Sequence, residues 1–157
     1  MPPDHSTDMR FDFHLFDEEK TRDDATHAYL RLLERLAEID GQYLNAHPET
    51  PEAYKSGVVV RQYFASLDHA FEDIGQMITR GCGAVDCIAC WRVAELRRRG
   101  IAARPYLTVR KRRMDGGITL IPGVYLPDGT IEKPMELCTR DDASGHPIDE
   151  PQPAPGG

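Results

Sequence analysis

The chain has no long apolar run, one tryptophan and few aromatics, and each shortage removes a class of protein. Aromatic residues make up 8% and apolar residues 40% of its 157 positions, enough for one modest core with tails. No stretch approaches the roughly 20 apolar residues of a membrane span. The opening residues, MPPDHSTDMRFDFH, have neither a basic region nor an apolar core, so no signal peptide is expected. A soluble chain in a reducing compartment follows, whose four cysteines serve as thiols or metal ligands rather than disulfides. Positive charge is also short: 19 Lys and Arg against 26 Asp and Glu give a net charge of -7 and a pI near 5.3, which weighs against a nucleic-acid role. The most telling absence is local. The six histidines are His5, His14, His27, His47, His69 and His146, and none falls within residues 105–133, where strands are expected. A thiol facing those strands would find no imidazole base on them.

What is present centres on residues 80–99, RGCGAVDCIACWRVAELRRR, which hold three of the four cysteines. Gly81 and Gly83 suggest a flexible entry, Asp86 an N-cap or near neighbour, and Val85, Ala89, Val93 and Leu96 the apolar face of a helix. Arg97, Arg98 and Arg99 load its last turn and Gly100 stops it. A cysteine at the positive end of such a helix has its thiolate favoured, the layout of many thiol enzymes.

Around that helix the pattern is mixed. Residues 1–23 read as an arm in which Phe11, Phe13 and Leu15 alternate as in a short strand, folded on its own domain or docked on a neighbour. Tyr29, Leu32, Leu33, Leu36, Ile39 and Tyr43 mark an amphipathic helix over 24–45, ended by His47-Pro48. An extended segment is expected at 58–64 and a second helix at 67–79, with Phe71, Ile74 and Ile78 inward. Strands are expected at 103–112, 118–126 and 130–133, with turns at Asp115-Gly116-Gly117 and Pro127-Asp128-Gly129 and a bulge or edge at Pro122-Gly123. Residues 140–157, rich in Pro, Gly and acid, read as a disordered tail.

The cysteines allow a second reading. Cys82, Cys87 and Cys90 follow C-x4-C-x2-C, with Cys138 far downstream, a spacing shared with plant-type ferredoxins. Four sulfurs could take an iron-sulfur cluster or zinc; inert packing is the plain alternative. Trp91 reads as a packing residue. The run Arg110-Lys111-Arg112-Arg113 reads as a solvated strand end, or as a docking site for an acidic surface or a phosphate.

Several segments together carry a resemblance: YLNAHPETPEAYKSGVVVR (43–61), FEDIGQMITRG (71–81), CWRVAELRRRGIAARP (90–105) and LPDGTIEKP (126–134). Over residues 30–138 the chain resembles the transglutaminase-like, papain-related proteins of tailed phages. That family reads Arg-Gly-x-Gly-Asp-Cys-Glu-Asp-Leu-Ala before Trp-Arg, then a strand with Tyr-His, then Pro-Asp-Gly and Glu-Asp-Pro. The resemblance implies an α+β, papain-like domain at 24–139, with N-terminal helices on a small antiparallel sheet. It also implies that Val85 stands at the nucleophilic Cys, Ile121 near the His and Lys133 at the triad Asp, a degenerate member without turnover. Its implied role is structural or adaptor, contacting other subunits of a phage-type assembly, in the bacterial cytoplasm during assembly or in the virion, without membrane or direct nucleic-acid contact. Lys133 is expected to pair with Glu132 or Asp86. The competing expectation is an active cysteine peptidase, amidase or acyltransferase using Cys87, with His69 as the nearest base in sequence; the third is a metal module on Cys82, Cys87, Cys90 and Cys138.

Overall fold

The computed structural model describes residues 19–61, 71–111 and 113–138. The strand expected within the arm, the histidines at 5, 14, 69 and 146, and the tail from 139 lie outside them. The first helix, α1 (Glu19–Ala46), begins before the boundary expected at residue 24. Tyr29, Leu33, Leu36, Ala37, Asp40 and Leu44 form its buried stripe, at the three- and four-residue steps that keep side chains on one helix face. Leu32, Ile39 and Tyr43, also expected inward, flank that stripe and are half-buried. Pro48 cannot continue the helix, and the Thr50 hydroxyl closes the following turn by donating to the His47 carbonyl at 2.6 Å.

Next come a 3-10 turn (Ala53–Lys55), strand β1 (Val59–Arg61), helix α2 (Ile74–Arg80) and strand β2 (Cys82–Ala84), which pairs parallel with β1. Asp73 starts α2 through a reciprocal capping box: its carboxylate accepts from Gln76 N, and the Gln76 side chain accepts from Asp73 N. That start fixes the helix phase and corrects one expectation. Ile74 and Met77 face inward at 0% exposure, whereas Ile78 points out at 40%. Residues 81–84 are no flexible entry either. Gly81 caps α2 in the left-handed conformation, at φ 75°, and Gly83 lies in a strand so close to α2 that a Cβ there would stand 2.3 Å from Met77 Sδ.

Helix α3 (Val85–Arg98) then enters the middle of the molecule. It was expected to be amphipathic, yet of its first twelve residues only Arg92 escapes full burial, because α1 covers one side and the sheet another. Gly100, at φ 83°, ends it as expected. Strands β3 (Arg104–Lys111), β4 (Ile118–Tyr125) and β5 (Ile131–Glu132) form an antiparallel sheet in that order, and a short α4 (Pro134–Leu137) follows. Both turns expected between strands are present: Gly117 N donates to Asp115 Oδ1, and Thr130 N to Asp128 Oδ1. No bulge interrupts β4. Pro122 pairs in register with Leu107, and β5 reaches only Val124 and Tyr125, so Pro122 lies beyond the inner ladder where a missing N–H is tolerated. Gly123 is needed there, since a Cβ would sit 2.8 Å from the Glu132 carbonyl oxygen. The architecture is mixed helix and sheet, compatible with α+β. Among the described residues no helix is long and apolar enough to cross a membrane.

One buried acid joins two helices. Asp40 is fully buried on α1 and accepts from Ile74 N at 3.2 Å, while its other oxygen has no partner among the described residues. Burial raises its pKa well above the ordinary carboxylate value; the Ile74 bond opposes this and Asp73 adds to it.

Two predictions follow from these contacts. Gly83→Ala should cost about 1–3 kcal/mol in urea unfolding, because the added Cβ would stand 2.3 and 2.8 Å from Sδ and Cγ of the fully buried Met77. Asp40 keeps its proton to higher pH folded than unfolded, so its cost is absent below the unfolded pKa and grows as pH rises above it. Asp40→Asn, which retains an acceptor for Ile74 N, should therefore raise the melting midpoint at about pH 8 and leave it unchanged near pH 4.

Candidate functional site

The first turn of α3 is where a thiol nucleophile would have to sit, and its sequence places an alkyl group there. Ala84 is the N-cap and offers no side-chain bond; Val85 follows as the first helical residue and is buried. Asp86, expected at or near the cap, lies one position further in. Its carboxylate accepts from the Tyr29 hydroxyl of α1 at 2.5 Å and from Cys87 N at 2.8 Å. Burial, and then Asp86, push the Tyr29 phenol far above its usual value, so it remains the donor.

Cys87 has no exposed surface, and Glu72 N donates to its sulfur at 3.3 Å. Burial first, and then the Asp86 carboxylate, raise its pKa well above the ordinary thiol value, against the opposing pull of the Glu72 bond. Cys90 is equally buried, donates to the Leu33 carbonyl at 3.2 Å and is raised by burial and by Asp40 and Asp86. The expectation that the helix end would favour a thiolate is thus reversed. A helix terminus contributes about 0.3–1 kcal/mol to a nearby anion, whereas carrying a charge out of water costs several kcal/mol.

The remaining positions do not join these two. Cys82 is half-buried on β2, and the Cys138 thiol, just past α4, donates to the Val58 carbonyl at 3.2 Å. Among the described residues no three His, Cys, Asp or Glu side chains are grouped to hold a metal. Ile121 is half-buried on β4 opposite Thr108, and Lys133 is exposed between β5 and α4. Lys133 reaches toward Glu136, at 4.0 Å, rather than toward Glu132 or Asp86 as expected. The described histidines are His27, exposed on α1, and His47, whose ring lies tilted against Tyr43 with centroids 4.4 Å apart and whose Nδ1 is 3.5 Å from Glu49. Trp91 is wholly buried, as a packing residue should be.

The densest polar cluster was missed by sequence reasoning. Arg92 of α3 binds Glu132 of β5 at 2.9 Å and Glu95 at 3.2 Å, and lies 4.9 Å from the Tyr54 ring centroid. The Tyr54 hydroxyl donates to the same Glu132 at 2.9 Å, and Glu95 accepts from Ala53 N. Burial alone would lower the Arg92 pKa, but its two carboxylate partners outweigh it and raise it further. Glu95 is raised by burial against the bonds from Ala53 and Arg92, and Tyr54 is raised by burial and by Glu132. Each group is engaged within the fold, so the cluster clamps β5 and the 3-10 turn onto α3. The Trp91-Arg92 and Glu132-Lys133-Pro134 segments were in view; their contact across 40 residues was not.

Chemically, this arrangement offers sealed thiols, a buried Tyr–Asp bond and a saturated ion-pair cluster. Comparison with protein-family models, curated proteins and solved structures found no match for the chain.

Thiol accessibility should follow this geometry. With a neutral disulfide reagent at about pH 7.5, Cys82 should react first and Cys87, Cys90 and Cys138 only on unfolding, read by peptide mass spectrometry. Rapid, selective modification of Cys87 in the folded protein would contradict the burial described.

Proposed function

We propose that the chain is a degenerate member of the transglutaminase-like, papain-related group of tailed phages, lacking turnover and serving as a structural or adaptor subunit. The observation that carries this reading is the composition of the α3 start. Valine occupies the first helical position, and the nearest thiol, Cys87, is buried with its pKa raised by burial and Asp86. A thiol acyl-transfer enzyme needs an accessible sulfur and a base within hydrogen-bond reach. The antiparallel sheet packed against α3 is in keeping with a papain-like layout, although Ile121, opposite Thr108, lies on the sheet face turned away from the core side marked by Leu107 and Pro122. The resemblance supplies the phage setting and the partners: other subunits of a phage-type assembly, met in the bacterial cytoplasm or in the virion. The cysteines act as packing residues, with three of their sulfurs bonded to backbone groups.

Reversion tests the assignment directly. Val85→Cys alone should behave as a slow, ordinary thiol. Val85→Cys combined with Ile121→His and Lys133→Asp should react with iodoacetamide no faster near pH 6, since position 121 faces away from α3. A gain of about tenfold in the triple variant would mean that an imidazole reaches the α3 start and would remove the claim that the fold leaves that position without a base. Amide hydrolysis or acyl transfer by the unmodified protein, lost in Cys87→Ala, would replace the proposal with the enzyme reading. Stoichiometric zinc or iron in the isolated protein would replace it with the metal reading.

A further inference from the structure

The two neighbours of strand β4 cover it unequally. Strand β3 pairs with all of it, from Ile118 to Tyr125, whereas β5 pairs only with Val124 and Tyr125. Leu126 N donates to the Thr130 carbonyl on the β5 side. Backbone groups alternate sides along an antiparallel strand, so Val124, Pro122, Leu120 and Ile118 turn theirs to that same side. Pro122 agrees with this phase, since it pairs with Leu107 in the β3 ladder without an N–H to give. Past Glu132 the chain leaves the sheet at Lys133 for α4, and among the described residues no other strand takes the place of β5. The Pro122 carbonyl and both backbone groups of Leu120 are therefore left without a ladder partner. The Leu120 side chain packs on the core yet is only half-buried.

Both ends of this bare edge carry cations. Lys133 is exposed just past β5, and Arg110, Lys111 and Arg113 are exposed at the hairpin end. Arg110 pairs with Thr119 on the sheet face turned away from the core. Among the described residues, Arg110, Lys111 and Arg113 take part in no ion pair. Residues 104–113 hold five of the 19 Lys and Arg and no Asp or Glu, in a chain whose net charge is -7. Unpaired N–H and C=O groups along a sheet edge are matched by an extended polypeptide backbone. A nucleic acid offers no such alternation of donors and acceptors. A second copy of β4 would set cations against cations at either end of the pairing. An added strand would lie about 10 Å from β3, close enough for an acidic side chain to meet Arg110 across Thr119.

We infer that the β4 edge at residues 118–122 is a docking site for an extended, acidic segment of a partner protein, which adds to the sheet as a further strand. Its backbone pairs with Leu120 and the Pro122 carbonyl, an apolar side chain covers Leu120, and its carboxylates meet Arg110, Arg113 and Lys133. The inference rests on the sheet and would hold whether or not the domain turns over a substrate. The probe is an acetylated, amidated heptapeptide alternating Glu with Val, added at up to about 1 mM to the full chain. Exchange of the Leu120 amide, followed by NMR, should slow at least about tenfold with this peptide. It should stay unchanged with the Lys counterpart, and with a Glu peptide N-methylated along its backbone, which cannot donate to a ladder. In Arg110→Glu/Arg113→Glu/Lys133→Glu, shown to be folded by its melting curve, the Lys peptide should protect and the Glu peptide should not. No slowing with the Glu peptide, equal slowing by both peptides, or slowing that survives N-methylation overturns the inference. So does a Leu120 amide that is protected without peptide, whether at every protein concentration or only as concentration rises, and so does stronger protection by a single-stranded oligonucleotide.

Discussion

Helix α3 is buried on nearly every side, and the other elements are arranged to make that possible. Eleven of its 14 residues are buried, Trp91 and Ile88 completely. A helix so placed cannot turn a charged face to water, so Asp86, Arg92 and Glu95 must each meet a partner from another element. Tyr29 arrives from α1, Glu132 from β5, and the backbone of Ala53 from the 3-10 turn. Each bond joins segments distant in sequence, and together they set the depth and rotation at which α3 sits. The apolar contacts supply the larger driving force; the polar ones reject the alternative registers in which a charge would be stranded.

The same burial governs the sulfur chemistry. A helix N-terminus and a backbone N–H both favour a thiolate at Cys87, yet desolvation and the Asp86 carboxylate act the other way and prevail. Position on a helix is thus a poor guide to reactivity when the water that would solvate the anion has been removed. Cys90 and Cys138 donate to backbone carbonyls of α1 and of the segment before β1, and serve as small, buried packing groups. Cys82 stands apart, half-buried on a short parallel strand whose neighbour Gly83 admits Met77 against the backbone.

Much of the fold was legible because its signals are local. The alternation through β3 and β4, the Asp-Gly turns, Gly100 at the end of α3 and the stripe of α1 all act within a few residues, and each was found within a few positions. The failures share a cause. The inward face of α2 depends on where Asp73 caps it, and a one-residue change of phase exchanges Ile78 for Met77. The strand at Cys82–Ala84 exists only because Val59–Arg61 lies beside it, and three residues carry no period from which to read it. Asp86 lies near the cap, in the first turn of α3, as expected; its bond to a tyrosine 57 positions earlier has no local signal.

The sequence alone set the longer helices and strands, the turns, the acidic balance and the residues at the start of α3, since these depend on side-chain identity and short-range geometry. Which thiols are sealed, which carboxylates find partners and which stretch of β4 lacks a partner strand were decided only in three dimensions. Desolvation and ion pairing depend on what the rest of the chain brings alongside, and no local pattern in the sequence encodes that.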